Sequence, residues 1–355
     1  MSAVPGVAGR DIAQILAPQG ARRQPLAGFD PDYADIVDYI LRCTHRIWEQ
    51  KDVGLIETHY AADCPVHLMS GEASGVGGVI DGTLRTLGGF PDRTLVGEAV
   101  IWSGNERDGY LSSHRITSSG THWGGSELGP ATGRRVVFTT IADCLCRENL
   151  IVDEWLVRDN SAIVWQLGLD PVTVARDQAE ADRAASPTPA PWRVRAIERV
   201  RATPATPFPD AGWPDPVREP EAWARAFVDQ ILQHRRLSQL RDTHAVNVRC
   251  NAPGGRRLFG HGETIGWWSA LLSCFGSARA RIDHVAWQPT EGGVDIALRW
   301  ELAGTHDGPA LYGSPSGRDC YILAMTHWSV RGGRVAEEWT VFDEIALLRQ
   351  IEGGL

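Results

Sequence analysis

No stretch of this sequence approaches the run of about 18 apolar residues that a membrane-spanning helix needs. The opening MSAVPGVAGRDIAQ also lacks a charged start followed by an apolar core. The expectation is a cytoplasmic protein with no membrane partner. Blocks of Lys and Arg are missing too, and the net charge is -9, so a nucleic-acid partner is not expected. The 7 cysteines, at positions 43, 64, 144, 146, 250, 274 and 320, form no CxxC pair and no regular framework. They read as reduced, buried thiols. Cys144 and Cys146 put two sulfurs on one strand face, but no third and fourth ligand lies near them in sequence, which argues against a metal site.

What is present is a repeat. The stretch Gly109 to Gln166 falls on Gly293 to Gln350 without a gap. Identities include Gly109/Gly293, Arg115/Arg299, Gly120-Thr121-His122 on Gly304-Thr305-His306, Gly124/Gly308 and Gly133-Arg134 on Gly317-Arg318. They continue through Glu154-Trp155 on Glu338-Trp339, Asp159/Asp343 and Gln166/Gln350, far more than average residue frequencies give by chance. A chain of 355 residues with 43% hydrophobic and 22% charged content accommodates two domains with cores of their own.

The divisions expected are an N-terminal arm over 1–30, a first domain over 31–170, a proline-rich linker over 171–220 and a second domain over 221–355. Ile36, Val37, Ile40, Leu41 and Ile47 space a helix, as do Trp223, Phe227, Ile231 and Leu232. A second short helix over Leu55 to Tyr60, a strand over Cys64 to Leu68 and a third helix over Gly77 to Phe90 follow, the last matched by Gly262 to Phe275. The rest of each half alternates as strands: Thr94 to Trp102, Gly109 to Ser119, Arg134 to Cys146 and Leu150 to Arg158. Asp159-Asn160-Ser161 caps a closing helix through Leu167. This order suits an α+β architecture in which a curved antiparallel sheet wraps round N-terminal helices, here as two tandem cone-shaped barrels.

Gly-Thr-His followed by Gly, a Thr-Gly-Arg or Ser-Gly-Arg turn, and a terminal Glu-Trp-x-x-x-Asp before a Leu/Gln-rich helix resemble the SnoaL-like polyketide cyclase (ester cyclase) family. Phe90-Pro91-Asp92 ahead of the long strands fits as well. The resemblance covers about 130 residues in each half. It implies the nuclear transport factor 2-like fold, a pocket for a small-molecule substrate, no metal and no organic cofactor, and acid-base chemistry from a sheet carboxylate. Because family members often dimerise through the sheet, it also implies an intrachain pseudo-dimer or a homodimer. The fold hosts hydrolases, isomerases, dehydratases and binding modules alike.

Asp143 sits in mid-strand between Ile141 and Leu145, its same-face neighbours, where an apolar setting raises a carboxylate pKa toward that of a useful base. It is the candidate base, with His122 as proton donor and Arg115 as a polarising cation. Pairing with the glutamates is the structural alternative for the arginines. The second-domain counterparts are His327, His306, Arg299 and Glu338. Trp102, Tyr110, Trp123, Trp155, Trp267, Trp268 and Trp300 are candidates to line a pocket or to fill a core. In each Glu-Trp pair one residue faces the cone and the other faces away. Asp143 against His327, Trp123 against Asp307 and His114 against Leu298 indicate two different pockets. The expected function is a cofactor-independent cyclase or isomerase acting on a carbonyl compound. The alternatives are a hydrolase or dehydratase using the same carboxylate, or a non-catalytic binding or assembly protein.

Overall fold

A computed structural model describes residues 6, 7, 17, 20–186, 188–209 and 212–354. The chain divides into two compact units. The first comprises residues up to 68 together with 72–158 and 166–168; the second comprises 69–71, 159–165 and the chain from 169 onward.

The first unit opens on α1 (Ile36–Trp48), whose N-cap Asp35 accepts a hydrogen bond from the Asp38 amide. Next come α2 (Ile56–His59), β1 (Pro65–Leu68), β2 (Gly71–Ser74), α3 (Gly75–Gly89), β3 (Thr94–Asn105), β4 (Gly109–Thr121), β5 (Arg135–Arg147) and β6 (Leu150–Arg158). The sheet order is β2-β1-β6-β5-β4-β3. The long strands β3 to β6 pair antiparallel, and β1 joins β6 in parallel through Val66↔Glu154. Residues Ile36, Val37, Tyr39, Ile40 and Leu41 of α1 pack with Val100, Tyr110, Ala142, Cys144, Cys146 and Ile151. The face of the sheet that holds α1 is therefore the one carrying even-numbered residues of β4 and β5. The expected N-terminal arm lies largely outside the described residues, but Leu26 and Phe29 belong to this core.

α4 (Asn160–Gln166), α5 (Pro171–Ala185) and α6 (Pro191–Arg201) follow. The stretch expected to be a linker thus carries two helices. Pro171, Pro191 and Pro220 each occupy a first helical turn, where the missing N–H costs nothing, so prolines expected to mark a linker are helix starts. Trp192 packs edge-on against Tyr321, and Arg201 makes a two-point ion pair with Asp319.

The cycle then repeats with α7 (Pro220–Phe227) continued by a wide turn to Gln233, α8 (Leu240–Thr243), β7 (His244–Ala252), β8 (Arg256–Phe259) and α9 (Gly260–Ser273). It closes with β9 (Arg279–Thr290), β10 (Gly293–Thr305), β11 (Asp319–Arg331), β12 (Arg334–Val341) and α10 (Glu344–Ile351). The order β8-β7-β12-β11-β10-β9 is that of the first sheet. Each unit is an α+β cone, but neither sheet closes into the expected barrel, because β2 and β3, and likewise β8 and β9, remain edges. The short strands β2 and β8 carry no apolar alternation and were not expected from sequence.

Candidate active site

Register decides which side chains share the helix-bearing face of the first sheet. Glu154 lies opposite Cys144, Leu156 opposite Ala142 and Arg158 opposite Thr140. Across β4, Ser112 faces Cys144 and His114 faces Ala142. Because Cys144 and Ala142 belong to the core under α1, Glu154 points into the cone, and Trp155 points to the opposite face, where it stacks on His67.

Glu154 is 8% exposed. Burial pushes its carboxyl up to about 7, against the lowering effects of a hydrogen bond from Tyr60 and of the Arg158 charge. The Tyr60 hydroxyl, at the bridge Tyr60↔Ile151, is itself raised well above the ordinary phenol value by burial and by Glu154. It therefore remains a donor throughout the neutral range. His114 is held down to about 3 by burial and by Arg115, so its imidazole is neutral. Arg93, 2% exposed, donates to Ser118 Oγ at 3.0 Å and lies 4.2 Å from the Trp48 ring and 5.3 Å from that of Phe138. Cys43 and Cys144 are buried near Glu154, and Thr83 is buried on α3. Val76, Val79 and Ile80 of α3, with Trp48, Val53 and Tyr60, form a half-buried apolar rim.

In the second unit the same positions are filled. Trp223 stands for Tyr39, Phe227 for Cys43, Trp268 for Thr83, Trp300 for Ile116 and Trp328 for Cys144. All five are at most 1% exposed. Trp223 meets Trp328 edge-on at 5.0 Å and Phe227 meets Trp328 at 4.7 Å. Glu338 keeps the place of Glu154 but is closed in by donors: Trp328 Nε1 at 2.9 Å, Thr340 Oγ1 at 3.1 Å and His244 Nε2 at 3.1 Å. His244 occupies the position of Tyr60, paired to Val335 as Tyr60 is to Ile151. Arg93 and Arg158 have become Ala278 and Phe342. The second cone holds an aromatic core around a carboxylate with three hydrogen-bond partners.

Of the residues singled out from sequence, Asp143, Arg115 and Trp155 share one face of the first sheet, and His122 stands apart from them. Asp143, 1% exposed, lies opposite Ser113 and Trp155, on the face turned away from α1. Arg115 shares that face and pairs with Glu98 at 2.9 Å rather than with Glu154. Arg299 pairs with Asp283 at 2.6 Å rather than with Glu338. His122 stands beyond the end of β4; the residues from Ser113 to Thr121 span about 27 Å at the usual strand rise. It stacks on Phe90 and hydrogen-bonds Ser126 Oγ at 3.0 Å. His306 meets the Phe275 ring at a tilt and hydrogen-bonds Ser316 Oγ at 3.2 Å. Burial lowers the pKa of both histidines. His327 is buried on β11 opposite Ala297 and Trp339. Trp102 and Tyr110 pack beside the core under α1, Trp123 is 62% exposed, and Trp267 is buried in the second unit with Trp268 and Trp300. Tyr60, Arg93 and Arg158 have no signal in the sequence reading, whereas Glu154 is one of the two residues of a Glu-Trp pair whose facing the sequence leaves open.

Among the described residues no group of His, Cys, Asp and Glu is placed to hold a metal ion, and no helix is long and apolar enough to cross a membrane. The 7 cysteines are free and buried.

Residues 222–351 match the family model of the SnoaL-like polyketide cyclase. No curated protein matches the chain. Among solved structures, IdmH from Streptomyces antibioticus is similar at 26% identity, over 37% of this chain and 97% of that one, with a TM-score of 0.33. TsrD from Streptomyces laurentii is similar at 21% identity, over 37% and 94%, with a TM-score of 0.33. A SnoaL-like polyketide cyclase from Agrobacterium tumefaciens is similar at 19% identity, over 36% and 94%, with a TM-score of 0.30. Over residues 222–351, therefore, this chain is similar to the SnoaL-like polyketide cyclase family.

Proposed function

We propose that the first unit is the reactive half, a cofactor-independent acid-base site of the cyclase or isomerase type acting on a carbonyl-containing, largely apolar small molecule. The observation that carries this reading is Glu154, a carboxyl inside the cone whose burial lifts it to about 7. Such a group is half-ionised at neutral pH, which suits both removal of a proton next to a carbonyl and its return to another atom. The Tyr60 hydroxyl and the Arg158 guanidinium act on the same carboxyl and are the donors available to a developing enolate oxygen. The apolar rim on α3 supplies the low-dielectric wall that makes those donors effective.

The second unit, with its five aromatic side chains in the corresponding space, is read as a non-catalytic partner domain.

The testing experiment is deuterium exchange at the carbon next to the carbonyl of a panel of aryl ketones, followed by mass spectrometry. Wild type and Asp143→Asn should exchange alike, and Glu154→Gln should lose about a hundredfold or more in rate. Exchange unchanged in Glu154→Gln, or abolished in Asp143→Asn alone, would return the role to the outer-face carboxylate.

A further inference from the structure

Among the described residues Arg93 has no carboxylate ion partner. It is 2% exposed, and Nε and Nη1 are buried with no hydrogen-bond partner among the described residues. Nη2 donates to a neutral hydroxyl, that of Ser118. The faces of the guanidinium are taken by Trp48 and Phe138, which stabilise a cation without neutralising it. Burial, and then the charge of a second cation, Arg158, depress its pKa, and a third cation, Lys51, donates to its carbonyl at 2.7 Å.

A buried arginine is costly unless an anion meets it, and arginine does not escape the cost by losing its proton as lysine does. The second repeat shows that the fold does not need this side chain. There the position is Ala278, and the surrounding residues are Leu232, Leu302, Ile322 and Phe342 where the first unit has Trp48, Ser118, Phe138 and Arg158. One copy of the frame is apolar throughout at this end of the cone, and the other carries two arginines.

We propose that Arg93 is the anchor for a carboxylate of the ligand, so that the first unit takes an apolar carboxylic acid. This rests on the reading of the first cone as the reactive site and adds the class of molecule that enters it. Glu154 supplies the chemistry partway along the sheet face, and Arg93 fixes the acid group at the end of the cone marked by Ser118 and Phe138. Charge-assisted contacts of this kind are directional and about twice as strong as neutral ones, which sets the reacting carbon relative to Glu154.

The test uses the full chain and two probes of the same shape, 2-naphthoate and the neutral 2-naphthamide, titrated by calorimetry. Wild type is expected to bind the carboxylate about tenfold or more tightly than the amide. Arg93→Met should abolish that preference, Arg93→Lys should keep part of it, and Glu154→Gln should retain it. Arg93→Met should also unfold at the same temperature as wild type or higher, since a purely structural arginine would leave a less stable protein. Equal affinity for the two probes in wild type, or an undiminished preference in Arg93→Met, overturns the proposal. Should Arg93→Met fail to fold, the rise in Tm of wild type with each probe decides, an equal rise with both overturning it. Loss of proton exchange in Glu154→Gln without any carboxylate preference in wild type sinks the anchor and keeps the acid-base reading. The converse result does the opposite.

Discussion

Cys144 lies directly across the sheet from Glu154, in the place where Trp328 lies across from Glu338 and donates to it at 2.9 Å. The same carboxylate therefore faces a small thiol in one unit and an indole in the other. Cys144→Trp should convert the first cone toward the second. Proton exchange and probe binding should both be lost, and overpacking should lower stability by about 1–3 kcal/mol. Denaturant titration beside the exchange assay checks both parts; a variant that folds and still turns over would show that the space beside Cys144 is not where the ligand sits.

The reciprocal change, Trp328→Ala, removes a side chain that is 1% exposed and the hydrogen bond it gives Glu338. The cavity alone should cost about 3–5 kcal/mol, and the bereaved carboxylate adds to that. At a temperature where the variant is still folded, first-unit exchange should be within about twofold of wild type. A large loss of rate without loss of structure would contradict the assignment of the second unit as non-catalytic.

Glu154 also predicts a pH dependence with a definite sign. Its folded pKa, about 7, is above the ordinary carboxylate value, so between those limits the folded state holds the proton that the unfolded state has released. Stability from this group is therefore full at low pH, falls as pH rises through about 7 and is flat above it. His114 acts in the other direction. Held down to about 3, it adds stability as pH rises toward the ordinary histidine value. The two are separated by comparing wild type with Glu154→Gln between pH 4.5 and 8. The stability difference between them should change by a few kcal/mol, at about 1.4 kcal/mol per pKa unit, and a pH-independent difference would refute the shift. The exchange rate should rise with an apparent pKa near 7, since the base is the ionised form.

The duplicated Gly-Thr-His-x-Gly turn makes a prediction about stability. A Cβ on Gly124 would come within 1.8 Å of the Gly88 carbonyl oxygen, and one on Gly308 within 1.7 Å of that of Ser273. The turn thus passes against the last carbonyls of α3 and α9. Trp123 and Gly124 donate to the Gly89 carbonyl, while Asp307 and Gly308 donate to that of Cys274. Gly308→Ala should force the backbone apart and cost about 2 kcal/mol or more, seen as a fall in Tm. His122→Ala should cost about 1 kcal/mol through the lost Ser126 bond and leave exchange unchanged.

Much of the fold was legible because it is written in periodicity and repetition. The stripe from Ile36 to Ile47 and the alternating strands gave the elements, and the frame of glycines aligned the two halves. The site was harder to read for one reason. A strand reports alternation but not which of its two faces meets the helix. Asp143 among Ile141 and Leu145 looks like a carboxylate in an apolar pocket, yet both faces of β5 are buried, with Asp143 on the one away from α1. The parity is set by Cys144 and Cys146 under α1, a long-range contact that no local pattern encodes. Arg93 was overlooked because an isolated arginine just after a proline turn looks like surface, and only the packing of Trp48 over it shows otherwise.

The parallel pairing of β1 with β6 has a bearing on how the protein is made. Val66 meets Glu154 only after nearly the whole of the first unit has left the ribosome, so the carboxylate is placed by the last strand to arrive. Such non-local pairing is slow, and until it forms, the apolar edges of β1 and β5 are exposed together. Synthesis of the first half therefore carries a window in which it is open to aggregation or to capture by chaperones. The same connection through Cys250 and Glu338 gives the second half a window of its own.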